Sequence, residues 1–305
     1  MTRGPLERLT AGALAPLRGH PRASDHLLAL AFLHELHSLH WAVRAPSGPT
    51  WEDLLDDRAP GLGDRLDASL AAAIDEHPVQ LADAFPDISF ASIDDTNLRA
   101  ACTRLPRLLD AAHHRADVLG LIYTATGSRR DQQVLGQFFT PTSLADFVAK
   151  LLLGSSGGTP PGAWILEPAA GAGALLLAAI EHTRRQHGPI VARSFTYIGI
   201  ERDAAVARLA RMNVVLADAD EFVHIFCGDA LAQPVIGRDP ATGRLRHVTF
   251  DCVLANPPFN GPPVRYAALE RRADDLPPLQ LPERLLNRPI MLPSRGEPSP
   301  VPHAA

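Results

Sequence analysis

The chain has 305 residues, which is enough to bury one large hydrophobic core or two modest ones. Hydrophobic residues make up 46% and charged residues 21% of the sequence, as in ordinary globular proteins, and the formal net charge of -5 excludes a generally basic surface for nucleic acid. Three widely separated cysteines argue against a disulfide framework, and no stretch reaches the ~18 apolar residues of a membrane span, so we expect a soluble, cytoplasmic protein without a membrane partner.

Residues 1–130 have the composition and spacing of a helical domain. Apolar residues, mostly Leu and Ala, recur at helical spacing between Pro- and Gly-containing breaks, and this predicts helices over residues 26–43, 63–77 and 97–123. The first of these contains His34-Glu35-Leu36-His37, which has the residue types of a metal site. Zinc motifs of this kind place the second His four positions after the first, whereas His37 follows after three, so we predict an amphipathic helix here and no metal site.

Residues 131–260 change to strand-like runs that alternate with helical ones. Runs of β-branched and aromatic residues predict strands over 163–167, 196–201, 223–227 and 250–255, and Ala- and Leu-rich runs predict helices over 143–153, 173–187 and 204–218. This alternation is typical of a parallel α/β sheet. Residues 261–305 are dense in proline and contain no further strand-like run, so we expect them to form a disordered tail.

A turn of small residues follows the first predicted strand and opens a helix. After Glu167 the chain reads Pro-Ala-Ala-Gly-Ala-Gly-Ala, which lets a ligand approach the backbone closely and exposes helix amides to an anionic group. Glu167 itself could receive a cationic amine. The alternative is that the small residues serve tight packing of the helix on the strand. Position 176 is Leu and not the third Gly of a dinucleotide fingerprint, which disfavours NAD.

Carboxylates stand at the ends of the next two predicted strands. Glu201 could accept hydrogen bonds from both hydroxyls of a ribose, or it could be a helix N-cap or a charge at a helix N-terminus, although Asp203 can fill that role. Asp229 could accept from an adenine amino group, or it could simply form a turn. Because parallel strands share one carboxyl edge, where open α/β sheets bind ligands, these residues are expected to lie near one another.

The run Asn256-Pro257-Pro258-Phe259 follows the fourth predicted strand. An exocyclic amine such as adenine N6 is a poor nucleophile because its lone pair is delocalised into the ring. An Asn oxygen and a neighbouring backbone carbonyl can accept its hydrogens, two prolines stiffen the loop, and an aromatic ring can stack on a base turned out of its helix. A Pro-rich turn that merely closes a strand is the alternative.

Five segments in this order resemble the N6-adenine DNA methyltransferases, specifically the modification subunit of type I restriction systems, over about residues 130–260. They are Gly136-Gln137-Phe138-Phe139-Thr140-Pro141, Glu167-Pro168-Ala169-Ala170-Gly171-Ala172-Gly173, Ile200-Glu201-Arg202-Asp203, Gly228-Asp229-Ala230 and Asn256-Pro257-Pro258-Phe259. The resemblance implies an α/β chain in which a helical N-terminal domain precedes a partial Rossmann-like methyltransferase sheet. It also implies S-adenosylmethionine as cofactor and methyl transfer to adenine N6 in DNA.

The same resemblance assigns roles to individual residues. The residues implied at the cofactor are Phe138, Thr140 and Pro141 for its methionine part, Glu167, Ala169, Gly171 and Gly173 around its amino acid end, Glu201 for the ribose and Asp229 for the adenine. The residues implied at the target base are Asn256 and Pro257 for the amine, Pro258 in the same rigid loop, and Phe259 for stacking.

The sequence departs from the family after Asn256. A complete methyltransferase sheet has three more strands there, and the Pro-rich remainder is too short and too poor in strand formers to supply them. Unless another chain completes the sheet, we therefore expect a truncated or frame-disrupted relative, for which loss of activity is an open alternative. The expected partners are DNA and either the specificity and restriction subunits or a chain that completes the sheet. Two alternatives stay open: a non-catalytic relic or accessory subunit that binds DNA or a partner, and a protein glutamine methyltransferase, whose loop ordinarily ends in Tyr.

Overall fold

The computed structural model describes residues 5–43, 49–56, 58–59, 61–111, 118–126, 140–154, 160, 162–238, 242, 244–257, 276–282 and 285. Its N-terminal part is helical, as predicted. The helices are α1 (Pro5–Leu14), α2 (Ala23–Val43), α3 (Trp51–Leu54), α4 (Leu62–Glu76), α5 (Pro78–Leu81), α6 (Asp95–Ala111) and α7 (Val118–Thr126). The single helix predicted over 97–123 corresponds to α6 and α7, and α1, α3 and α5 were not predicted. Within these described ranges, no helix has the length and apolarity to cross a membrane.

Helix α2 is the centre of the helical domain. Every side chain from Leu27 to Leu33 is at most 5% exposed, so this stretch is covered on all sides and is not the amphipathic helix that the sequence predicted. Leucines of the surrounding helices, among them Leu66, Leu98 and Leu105, complete the core around it. His37 lies near the end of α2, where its Nε2 is 2.7 Å from the Ser69 hydroxyl.

The second part of the chain is a parallel sheet with helices, as predicted. Its helices are α8 (Thr142–Leu153), α9 (Ala174–His187), α10 (Pro189–Ser194) and α11 (Ala204–Leu216), and its strands are β1 (Trp164–Glu167), β2 (Thr196–Glu201), β3 (Val223–Cys227), β4 (Val235–Arg238), β5 (Leu245–His247), β6 (Cys252–Val253) and β7 (Leu279–Gln280). The predicted strands over 196–201 and 223–227 are confirmed, whereas the one predicted over 250–255 is shortened to β6.

Four parallel strands form the main sheet in the order β3-β2-β1-β6. Leu166 in β1 pairs with Ile198 in β2 on one side and with Val253 in β6 on the other. A pair of 2.8 Å bonds fixes the start of β6, since Asp251 donates its backbone N–H to the Trp164 carbonyl and accepts the Trp164 N–H on its carboxylate. The chain leaves β1 in one direction for β2 and β3 and later returns to its other side, which creates a topological switch point.

The two faces of this sheet are covered differently. Helices α8, α9 and α11 cover one face, where Ile165 and Tyr197 are buried. On the other face, Ile198 and Ile200 pack against a second sheet of order β5-β4-β7. In that sheet β4 is antiparallel to β5 and parallel to β7.

The expectation of a disordered tail without a strand is wrong for residues 276–282, which contain strand β7. Leu279 and Leu281 alternate onto one face and are buried, 7% and 2% exposed, and Leu285 joins them. Backbone N–H groups of Leu279 and Leu281 donate to carbonyls beside and within β4 at 3.0 and 2.9 Å. The prolines that argued against a strand flank these donors, so the missing proline N–H groups interrupt no hydrogen bond.

Helix α11 joins the helical domain to the sheet. Its Leu209, Met212 and Val215 belong to the same hydrophobic core as α2. Gln80, 2% exposed, donates from Nε2 to the Val223 carbonyl at 3.0 Å, close to the start of β3. The helical domain is therefore packed against α11 and the amino end of the sheet.

Replacing Gly199 by Ala should destabilise the fold by about 1–3 kcal/mol. A Cβ on Gly199 would lie 2.6 Å from Ile225 Cδ1 and 3.1 Å from the Ala170 Cβ, so the core beneath β2 would have to shift. The control is Gly12→Ala, because a Cβ on Gly12 in α1 meets nothing within 4 Å. That control should gain up to about 1 kcal/mol from the helix preference for Ala. Urea denaturation measures both, and an unchanged midpoint for Gly199→Ala would contradict the packing.

Candidate functional site

The carboxyl ends of the four parallel strands meet at one edge of the main sheet. Glu167 and Glu201 are the last residues of β1 and β2, Asp229 follows β3, and Asn256 follows β6. Strand β1 separates β2 from β6 in the strand order. The sequence analysis predicted candidate residues at the ends of these strands. In the structure, these ends lie at one edge of the sheet, on either side of the switch point.

The residues between β1 and α9, 168–173, form what we call the glycine loop. The Ala170 N–H donates to the Ile200 carbonyl at 2.9 Å, and the Gly171 N–H donates to Glu201 Oε2 at 3.0 Å. Gly171 and Gly173 have φ of +55° and +88°, a left-handed conformation that favours glycine. A Cβ on Gly171 would meet nothing within 4 Å. The backbone of Gly171 therefore faces open space that a ligand could enter.

Glu201 links the glycine loop to the start of α11. Its Oε2 accepts from Gly171, and its Oε1 accepts the Asp203 N–H at 2.8 Å. Asp203 caps α11, since its Oδ1 accepts the N–H groups of Ala205 and Val206 at 2.9 and 3.1 Å. The alternative of Glu201 as the helix cap is therefore wrong. Each carboxylate oxygen has two lone pairs, so the partly buried Glu201 retains capacity to accept from hydroxyls.

Glu167 is the buried acid of the site. It is 1% exposed, and its Oε2 accepts the Leu176 N–H at 3.2 Å in the first turn of α9. Burial raises the pKa of Glu167 well above its usual value, the bond from Leu176 opposes this, and the negative charge of Glu201 raises it further. A positive charge beside these two carboxylates would make it easier to ionise Glu167.

Asp229 occupies the turn after β3. It is 8% exposed, its Oδ1 accepts the Leu231 N–H at 3.1 Å, and its own N–H donates to Gln233 Oε1 at 2.7 Å. Gln233 also donates from Nε2 to the Pro277 carbonyl at 2.7 Å. The turn of Asp229 is thus tied to the segment that contains β7.

Asn256 is held by a residue 116 positions away. Its Nδ2 donates to the Thr140 hydroxyl at 3.0 Å, just before α8. Because the amide nitrogen is directed at Thr140, the Asn256 Oδ1 is the atom that can accept from a target amine. The sequence assigned Thr140 to the cofactor and did not foresee this contact. Pro141, at the start of α8, and Pro257 are exposed at the surface.

Three candidates, Phe138, Pro258 and Phe259, lie outside the described residues, as does the rest of 136–139. Their roles stay predictions. Ala169 is partly buried in the glycine loop. One polar residue at the loop was missed: Asn213 of α11 is 2% exposed, and its Nδ2 donates to the Ala172 carbonyl at 3.0 Å. Its only signal in the sequence is a lone amide within an apolar helical run.

Comparisons with known proteins identify relatives of the chain. Residues 114–275 match the family model described as N-6 DNA Methylase. The chain is 25% identical over 221 residues to the Type I restriction enzyme MjaIX methylase subunit of Methanocaldococcus jannaschii, a match that covers 70% of this chain and 36% of that protein. The chain thus spans about a third of the length of this curated relative.

One solved structure supports the fold. It is the modification subunit of a putative type I restriction enzyme from Vibrio vulnificus YJ016, with a TM-score of 0.57 and 18% sequence identity. The match covers 88% of this chain and 62% of that one. The predicted fold class, a helical N-terminal domain followed by a methyltransferase-like α/β sheet, is confirmed.

Replacing Glu167 by Gln should flatten the dependence of stability on pH. The unfolded parent ionises Glu167 near its usual pKa of 4.5, whereas the folded parent keeps the proton to a higher pH. Relative to the variant, the parent should lose about 1.4 kcal/mol of unfolding free energy per pH unit between those two pKa values. Gln keeps an oxygen for the Leu176 N–H. Urea denaturation from about pH 4 to about pH 9 measures the difference; identical pH profiles would contradict the raised pKa.

Proposed function

The chain belongs to the N-6 DNA methylase family, and we propose from this premise that it transfers a methyl group from S-adenosylmethionine to the N6 amine of adenine in DNA. The observation that carries the proposal is the position of Asn256. Held by Thr140, it follows β6 at the same sheet edge as the glycine loop and Glu201. An amide acceptor for the target amine and the elements of a nucleoside site therefore meet at one switch point.

The residues at this edge fit S-adenosylmethionine by their chemistry. The open backbone at Gly171 allows close approach, and Glu201 can accept from ribose hydroxyls while it holds Gly171. Glu167 would attract the cationic amino group at the amino acid end of the cofactor. Asp229 would accept a hydrogen bond from the adenine amino group. When bound, the cofactor supplies a methyl group that its sulfonium already activates.

The chain's own contribution is to position and polarise the amine. The Asn256 Oδ1 and the Pro257 carbonyl would accept its two hydrogens and draw the nitrogen toward tetrahedral geometry. Thr140 fixes the direction of the Asn256 amide through its 3.0 Å bond. Pro258 would stiffen the loop and Phe259 would stack on the base.

Partners are part of the proposal. The net charge of -5 gives the chain no broad attraction for the phosphate backbone. We therefore propose that the chain acts as a modification subunit in a restriction-modification system, with a specificity subunit supplying DNA contacts and a restriction subunit as a further partner. Among the described residues β6 pairs only with β1, and Val253 is 52% exposed, so a strand from another chain could extend the sheet here.

Transfer of radiolabel from S-adenosylmethionine to unmethylated DNA is the direct test. We expect label on adenine N6 with the chain alone or after a specificity subunit is added. If the chain binds S-adenosylmethionine in calorimetry and labels no DNA under either condition, an accessory, non-catalytic role would replace this proposal. Label on a protein glutamine would identify the other alternative.

Replacing Asn256 by Ala should abolish transfer without weakening cofactor binding. Loss of the amide oxygen removes an acceptor for the amine, so kcat should fall at least about 100-fold. The Kd for S-adenosylmethionine should stay within about twofold, because Asn256 faces the base. Thr140→Val removes only the hydroxyl that orients the amide and should give a smaller loss of kcat. Full activity in Asn256→Ala would refute the assignment.

Replacing Glu201 by Gln should weaken cofactor binding about tenfold, because a charged acceptor is lost. Its matched control is Asp203→Asn, which removes one negative charge two positions away but keeps a good helix cap. Calorimetry with S-adenosylmethionine compares the two. Equal affinities for Glu201→Gln and the parent, or equal weakening in Asp203→Asn, would show that Glu201 does not bind the cofactor directly.

A further inference from the structure

We propose that Asn213 is a positioning residue that holds the glycine loop ready for S-adenosylmethionine. The inference rests on the proposed function of the loop. Asn213 lies on α11, is 2% exposed, and donates from Nδ2 to the Ala172 carbonyl at 3.0 Å. Ala172 lies between Gly171 and Gly173, so the bond holds the loop between its two glycines.

The burial of Asn213 indicates that a contribution to stability does not by itself explain why an Asn occupies this position. Its neighbours Met212, Val214 and Val215 are all buried apolar residues. The Asn213 Oδ1 is also buried and has no hydrogen-bond partner among the described residues. A buried, unpaired acceptor is unfavourable, and an apolar side chain would avoid it. What the Asn provides in return is the single bond to Ala172.

That bond restrains the one side of the loop that the sheet does not hold. Ala170 and Gly171 are tied to β2, through the Ile200 carbonyl and the Glu201 carboxylate. Ala172 is held by α11, through the bond from Asn213. The N–H groups of the glycines on either side are bonded to Glu201 and to the Ala170 carbonyl, at 3.0 and 2.8 Å. Because neither glycine has a Cβ to restrict its backbone, the bond from Asn213 adds a restraint on the peptide carbonyl between them. A loop that is already ordered binds its ligand more tightly because less entropy is lost on binding.

Helix α11 is a firm support for this anchor. Asp203 caps its first turn, and Leu209 and Met212 are packed into the core of the helical domain. Ala172, 7% exposed, packs against the same core. Two elements therefore fix the position of the glycine loop: strand β2, and helix α11, which packs against the N-terminal domain.

The test compares Asn213→Leu with a matched control, Gln80→Met. Gln80 is likewise a 2% exposed amide that donates to a backbone carbonyl at 3.0 Å, but its partner is Val223, near the amino end of β3. Both variants lose a hydrogen bond to a backbone carbonyl, and a urea unfolding transition shows that each is folded. Only Asn213→Leu should raise the Kd for S-adenosylmethionine, about tenfold by calorimetry, with kcat at saturation within about twofold of the parent. Asn213→Ser, whose hydroxyl is too short to reach Ala172, replaces the Leu variant if that does not fold.

Hydrogen exchange supplies a readout that does not depend on the ligand. The amide hydrogens of Gly171 and Gly173 should exchange faster in Asn213→Leu than in the parent. In Gln80→Met their exchange rates should equal those of the parent. Parent-like affinity and exchange in a folded Asn213 variant would overturn the inference, as would equal loss of affinity in Gln80→Met. If the parent itself does not bind S-adenosylmethionine, the proposed function fails together with the ligand part of this inference. The exchange rates then still decide whether Asn213 holds the loop.

Discussion

Strand β1 has a parallel partner on each side, β2 at one edge and β6 at the other, and this double pairing organises the rest of the site. Because all three strands run in the same direction, the polar residues at or just after their carboxyl ends lie at the same edge of the sheet. Glu201 can then reach back to the Gly171 amide, and Asn256 can be held by Thr140 from the start of α8. These bonds join segments far apart in sequence, and each depends on the register of the strands.

The buried acid and the open glycine loop at this edge suit the binding of a ligand better than the stability of the free protein. Glu167 is buried beside Glu201, which makes it costly to ionise Glu167 without a ligand. The glycine loop leaves open space at Gly171 where a side chain would otherwise pack. Such features weaken the protein alone and are tolerated where they serve a ligand, as is common at functional sites. A cationic group bound beside the two acids would favour the ionised form of Glu167.

The fold was largely predictable because buried strands and helices leave periodic patterns. Strand β2 is a run of β-branched and aromatic residues around Gly199 that is buried up to Ile200, and apolar residues recur at helical spacing in the helices around it, so both were found. Strand β5 was missed because all three of its residues are exposed, and strand β4 because Gly237 and Arg238 leave only two apolar residues in it. Strand β7 was missed because prolines lie on both sides of its segment, which has only two buried leucines, Leu279 and Leu281. The site acids were predictable from their place after strands. Asn213 and the contact of Thr140 with Asn256 were not, because they depend on packing between distant segments.

A crystal structure of this chain with S-adenosylhomocysteine would show directly whether the carboxyl edge of the sheet is the cofactor site. We expect ligand density beside Gly171, with ribose hydroxyls on Glu201 and the sulfur facing Asn256. Density on another face of the sheet, or an empty edge at saturating ligand, would contradict it.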